Sequence, residues 1–287
     1  MRPPRPYAVA LAALLATTLA GCGGSTPDEQ PSTATSSATP PAFHRYVALG
    51  DSYTAALGVA PAAADADGCG RSQSNYPTLA AAELGVTLTD VSCSGATVSD
   101  LLHGQTVSDA TLAPQIAAVT SDTDLVTIGI GGNDLALIQV FLACGTQQPS
   151  CQKLLTRVER LAGKLPDRIA ELVRQVRVRA PAATVVLVGY PTIVSADAPC
   201  DGTPVPEDFV EPAREVNRSL DDAVEKAATL SGASYLDILD ATADHGLCGA
   251  EPWIADVNGR GAQILHPIAA EQAYVAARLV ELLASGS

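Results

Sequence analysis

Four positions in this chain carry groups that could together run acyl transfer: Ser52, Gly95, Asn133 and His266. That chemistry needs a nucleophile, a base for its proton, and donors aimed at the oxyanion of a tetrahedral intermediate. The Ser52 hydroxyl supplies the first, and the Ser52 and Gly95 N–H groups with the Asn133 amide supply the donors. Of the four histidines, His44 ends an irregular N-terminal stretch, His103 falls in a predicted helix and His245 lies in the loop before Cys248. Only His266, in Ile264-Leu265-His266-Pro267, stands just before a helix from which it can reach the other three. Taken alone, Asp51-Ser52 reads as a helix cap, since both residue types are preferred there. The company of the other three positions makes Ser52 a nucleophile.

The elements that must bring them together are legible as periodic runs. Short apolar, β-branched stretches predict strands over 46–50, 86–91, 124–130, 184–188 and 233–236. Helical spacing predicts helices over 76–84, 154–178 (one or two), 209–230 and 267–283, with a weak one at 115–119. Pro77 sits early in the first of these and Gly85 just past its end, the positions where a helix tolerates them. Strands alternating with helices predict a parallel sheet covered on both faces. Ser52, Gly95 and Asn133 each follow a predicted strand, so all three fall on the carboxyl edge where open α/β sheets bind ligands. Loops are expected over 60–75, around 145–150, over 195–207 and over 240–265.

Gly50-Asp51-Ser52, the glycine of Ser94-Gly95-Ala96-Thr97, Gly132-Asn133-Asp134 and His266-Pro267 occur in the order and rough spacing of the four blocks of the SGNH, or GDSL-like, hydrolases. From Tyr46 onward the chain resembles that family, and with Gly189-Tyr190-Pro191 and its cysteines it looks most like the secreted actinobacterial lipases and esterases. The resemblance implies a single-domain, flavodoxin-like three-layer α/β/α sandwich with a five-stranded parallel sheet over 44–287. It implies hydrolysis of small-molecule or lipid carboxylic esters without a cofactor or metal, through an acyl-Ser52 intermediate. Ser52, Gly95 and Asn133 would form the oxyanion hole and His266 would be the base, with Asp51 ordering the turn. Many members carry an aspartate three residues before the histidine, where this chain has Gln263. The expected partner of the imidazole is therefore the main-chain carbonyl of Gln263 or Ile264, or the Gln263 side chain, with Asp256 as the alternative carboxylate. The same residues could serve an acyltransferase acting on a cell-envelope acceptor, and a non-catalytic ligand-binding lipoprotein on this fold is the alternative from another class.

Charge and cysteines bound the setting. A net charge of −14 argues against nucleic acid as a partner and against attraction of the whole surface to anionic lipid. Arg2 and Arg5 precede an apolar run from 7 to 20, too short for an ordinary span but suited to a signal peptide over 1–21. The run ends in Leu19-Ala20-Gly21-Cys22, which resembles a lipobox and implies lipidation of Cys22 and anchoring to the outer face of the cell membrane; a secreted protein is the alternative. Residues 22–43, rich in Ser, Thr, Pro and Ala, read as a tether. Of seven cysteines, six remain after Cys22, and an even number in an exported chain points to disulfides. Pairing in chain order is expected: Cys69–Cys93, Cys144–Cys151 and Cys200–Cys248. Metal binding is disfavoured, because neither a CxxC nor a His-rich spacing is present and no histidine supports Asp51 and Asp134. Gly129, Gly131 and Gly132 lack the last glycine and the acidic residue of a dinucleotide fingerprint. A monomer is expected.

Overall fold

The most apolar stretches form the centre of a parallel sheet. In the computed structural model, β1 (Arg45–Gly50), β2 (Thr87–Asp90), β5 (Leu125–Gly129), β6 (Thr184–Val188) and β7 (Ser234–Leu236) lie in the order β2-β1-β5-β6-β7, each pair parallel. The structure describes residues 43–64, 67–198, 200, 205–256, 259 and 261–286. The expected signal segment, Cys22 and the tether up to residue 42 lie outside them, as do parts of the loops expected over 60–75, 195–207 and 240–265. The described body forms one compact unit.

β5 is buried at every position, and β1 and β6 at every position but the first, because they are covered on both faces; the edge strands β2 and β7 alternate or thin out. Alternate residues enter two separate cores, as the strand's period of two requires. Tyr46, Ala48, Leu125, Val186 and Val188 pack under α2 (Tyr76–Leu84) and α8 (Ala269–Ala284). Val47, Leu49, Val126, Ile128 and Leu187 pack under α3 (Val98–His103), α6 (Leu165–Arg179) and α7 (Glu207–Ser231). The chain leaves β1 toward β2 and then crosses back to β5, so β1 is where the winding direction reverses and a crevice opens at the strand ends.

The structure corrects several boundaries. The periodic run over 154–178 is two helices, α5 (Cys151–Ala162) and α6, broken at Gly163-Lys164 with Pro166 in the first turn of the second. A helix after the third block, α4 (Leu137–Gly145), escapes sequence reading because no capping side chain marks its start, which is Ala136 at φ +56°. A small hairpin, β3 (Gln105–Val107) with β4 (Ala110–Leu112), is too short and exposed to show a period. The weak segment at 115–119 is a single 3₁₀ turn, Gln115–Ala118. The six body cysteines pair in chain order, Cys69–Cys93, Cys144–Cys151 and Cys200–Cys248. Three disulfides are consistent with maturation in an oxidising compartment. Among the described residues no helix is long and apolar enough to cross a membrane.

Candidate active site

Gly50, Gly129 and Thr54 shape the turn that carries Ser52. Gly50 and Gly129 are paired across β1 and β5, and a Cβ on either would overlap Thr54 Oγ1, so α1 (Ser52–Ala55) folds directly against the strand ends. Asp51 caps this single turn: its Oδ1 accepts from the Tyr53 N–H at 2.9 Å. The cap that local sequence divides between Asp51 and Ser52 therefore falls to Asp51, and the Ser52 hydroxyl is left for other partners. Ser52 Oγ lies 2.8 Å from His266 Nε2.

His266 arrives from a loop 214 residues away, and direct bonds hold that loop on the α1 turn. Tyr53 Oη donates to the Leu265 carbonyl at 2.7 Å, and the Gln263 N–H donates to Leu57 at 3.0 Å. Leu265 takes φ +61°, reversing the backbone so that the following ring turns inward. His266 Nδ1 stands 2.9 Å from the carbonyl of Ile264, which can only accept; Nδ1 therefore carries the hydrogen and Nε2 faces Ser52 with its lone pair. Of the acceptors left open by the sequence, it is the Ile264 carbonyl that meets Nδ1, while the Gln263 carbonyl accepts from the His266 N–H at 2.9 Å. Burial holds the imidazole below its ordinary value, and the Ile264 hydrogen bond works in the opposite direction. Ser52 and His266 are 6 % and 4 % exposed, so only an edge of the pair reaches the surface.

Three candidate donors stand in separate blocks. The Ser52 and Gly95 N–H groups have no partner among the described residues. Gly95, in the loop after β2, has φ +83°, a conformation that favours glycine. Asn133 Nδ2 donates one hydrogen to the Ala96 carbonyl at 2.9 Å, which ties the second block to the third and leaves its second hydrogen to point elsewhere. The neighbouring Asp134 accepts from the Val98 N–H at 3.0 Å and pairs with Arg168 at 2.6 Å.

Behind these groups stands a residue whose role sequence reading misses. Tyr190 Oη donates to Asp51 Oδ2 at 2.5 Å and accepts from the Gly132 N–H at 3.0 Å, bracing the serine turn against the asparagine turn. Burial pushes the Asp51 carboxyl up to about 7, against the hydrogen bonds from Tyr190 and the Tyr53 N–H. The Tyr53 ring sits between the Tyr190 ring at 5.0 Å and the imidazole at 5.1 Å. Gly189-Tyr190-Pro191 at the end of the fourth strand is the signal for Tyr190; nothing in the sequence singles out Tyr53. The other histidines lie elsewhere: His103 ends α3, and His245 stacks on Trp253 at 3.6 Å.

A cavity of about 310 Å³ opens beside the Cys69–Cys93 bridge, lined by Arg71, Gln105, Leu112 and Pro114 among others. Gln105, in its wall, donates from Nε2 to the Ser94 carbonyl at 2.8 Å.

The GDSL-like Lipase/Acylhydrolase family matches residues 48–273. Lipase 2 of Streptomyces coelicolor is 35 % identical over 254 residues, covering 83 % of this chain and 85 % of its own. Among solved structures, phospholipase A1 from Streptomyces albidoflavus superposes with a TM-score of 0.72 at 30 % identity, covering 86 % of this chain and 100 % of its own. The extracellular lipase of Streptomyces rimosus gives 0.71 at 29 % identity, covering 85 % and 100 %. With a parallel five-stranded sheet, three motif blocks at its strand ends, a fourth before the last helix and a serine hydroxyl against an imidazole, this chain belongs to the GDSL-like lipase/acylhydrolase family and is a carboxylic ester hydrolase.

Proposed function

We propose that the chain is an exported lipase or esterase that works through an acyl-Ser52 intermediate. The observation that carries this reading is the 2.8 Å approach of Ser52 Oγ to a lone-paired His266 Nε2. His266 takes the Ser52 proton as Oγ attacks the ester carbonyl, and returns it to the alcohol as that leaves. Water then enters, activated by the same nitrogen, and releases the acid. The Ser52 and Gly95 N–H groups and the free Asn133 hydrogen face the oxyanion in both steps. The Ile264 carbonyl fixes the tautomer and stabilises imidazolium less than a carboxylate would. The substrate class is a lipid acyl ester, phospholipids included: the Streptomyces albidoflavus neighbour is a phospholipase A1 and the Streptomyces coelicolor relative a lipase. The chain acts as a monomer, and cleavage before Cys22 with lipidation there would hold it on the outer membrane face through the 22–43 tether; the basis is the Leu19-Ala20-Gly21-Cys22 motif after its apolar run.

A fluorophosphonate tests the intermediate. It is expected to label one equivalent per chain at Ser52, located by mass spectrometry, and to leave Ser52→Ala unlabelled; labelling elsewhere, or none, overturns the reading.

The pH dependence follows from the base. His266 must be neutral to accept the proton, and burial depresses its pKa below the ordinary 6.5. Activity should therefore rise with pH through a midpoint below 6.5 and persist into mildly acidic buffer. A kcat/KM profile on a neutral ester reads this limb directly, and a midpoint above 7 would exclude His266 as described.

A further inference from the structure

The chain is acidic overall, yet three exposed cations without an ion pair lie on one helix, α5. Lys153, Arg157 and Arg160 are all exposed, and at 3.6 residues per turn their positions fall within about 60° of one another. None of the three forms an ion pair with another described residue. Exposed Arg174 and half-buried Arg214 and Arg218 differ from them, each facing a glutamate three residues away. Glu159, the one carboxylate of α5, points about 120° away from the stripe.

Apolar surface adjoins the stripe. Leu154 and Leu161 are only partly buried, and with Lys153, Arg157 and Arg160 they line an open groove of about 1080 Å³. Leu142, on the helix clipped to α5 by Cys144–Cys151, is 40 % exposed. A basic stripe flanked by aliphatic side chains is the pattern of a helix that lies on a membrane surface. Its position suits that use. α5 turns into α6, whose Leu165 lies beneath Gly131 and whose Arg168 pairs with Asp134, on either side of the Gly132-Asn133 donor turn.

We infer that α5 is a docking face for a bilayer of anionic phospholipid, its cations meeting headgroup phosphates and its leucines the boundary of the acyl chains. Net charge describes the average surface; this stripe is a local exception within a Debye length of whatever it touches. The inference concerns binding and does not rest on the ester chemistry proposed above.

Full-length protein carrying Ser52→Ala, which leaves vesicle lipids intact, is co-sedimented with phosphatidylglycerol-containing vesicles and with pure phosphatidylcholine vesicles. At about 1 kcal/mol per cation near an anionic surface, three cations predict an excess on the order of 100-fold for the anionic vesicles, lost at high salt. Lys153→Gln/Arg157→Gln/Arg160→Gln should abolish that excess, and Arg174→Gln/Arg214→Gln/Arg218→Gln, which removes as many charges, should keep it. Any binding through the N-terminal apolar segment is common to both vesicle types and all variants. Equal loss in both triple variants, or no anionic excess in the parent, overturns the inference. So does heparin retention without vesicle binding, which would put a soluble polyanion on the stripe. Should the first triple variant fail to fold, Arg157→Gln alone is expected to lose roughly 5-fold, and no loss there counts against the docking face.

Discussion

Ser52→Ala is expected to lower kcat on a short p-nitrophenyl ester by on the order of 10⁴- to 10⁶-fold while KM moves little. His266→Ala should cost a similar amount, and the double variant no more than either single one. The reason is that the 2.8 Å hydroxyl–imidazole pair acts as a unit: a serine without its base keeps its proton, and a base without its serine has nothing to activate. What survives comes from the oxyanion donors and substrate binding, which neither substitution removes. Both side chains are nearly buried but neither fills a large part of the core, so thermal unfolding should stay close to that of the parent. Steady-state kinetics on the four proteins decides the matter. Additive losses would mean that Ser52 and His266 act in separate steps, and retention of a tenth of the parent's kcat by Ser52→Ala would remove Ser52 from the chemistry.

Asn133→Ala should cost about 10²- to 10³-fold in kcat, the scale for loss of one oxyanion donor. The substitution removes two hydrogen bonds of different kinds. One, to the Ala96 carbonyl, exists in the resting protein and contributes about 1 kcal/mol to stability. The other forms only as negative charge develops on the substrate oxygen, so its loss falls on kcat and spares KM. Asn133→Asp separates them: nearly the same shape, but acceptors and charge where a donor is needed, so it should lose at least as much activity. A loss confined to KM in either variant would make Asn133 a binding residue for the ground state.

How much of this arrangement is legible before folding depends on what each residue has to do. The central strands are readable because burial on both faces demands unbroken apolar runs, as in residues 125–129 and 184–188. Ser52, Gly95, Asn133 and His266 are readable because each sits where a strand ends or a helix is about to begin, and chain order keeps them apart until the sheet assembles. Tyr190 is half-legible, since its place after β6 marks the right edge but its two hydrogen bonds join segments that share no local pattern. Tyr53 is not legible at all: a tyrosine after the serine reads as ordinary helix packing, and its reach to Leu265 exists only in three dimensions. The sequence likewise leaves four acceptors open for the imidazole, Asp256 included, because which carbonyl turns inward is decided by a single left-handed residue, Leu265. The hairpin at 105–112 and helix α4 are lost for the opposite reason, having neither period nor cap to announce them.

The paired Gly50 and Gly129 leave no spacer between the sheet's end and the reactive turn. The hydroxyl therefore inherits the rigidity of the two most deeply enclosed strands, with no hinge at which it could loosen by itself. Warmed or diluted in denaturant, such a molecule has little scope to become inactive while remaining folded; turnover should fade in step with the melting of the sheet, and an activity assay doubles as a gauge of the whole architecture.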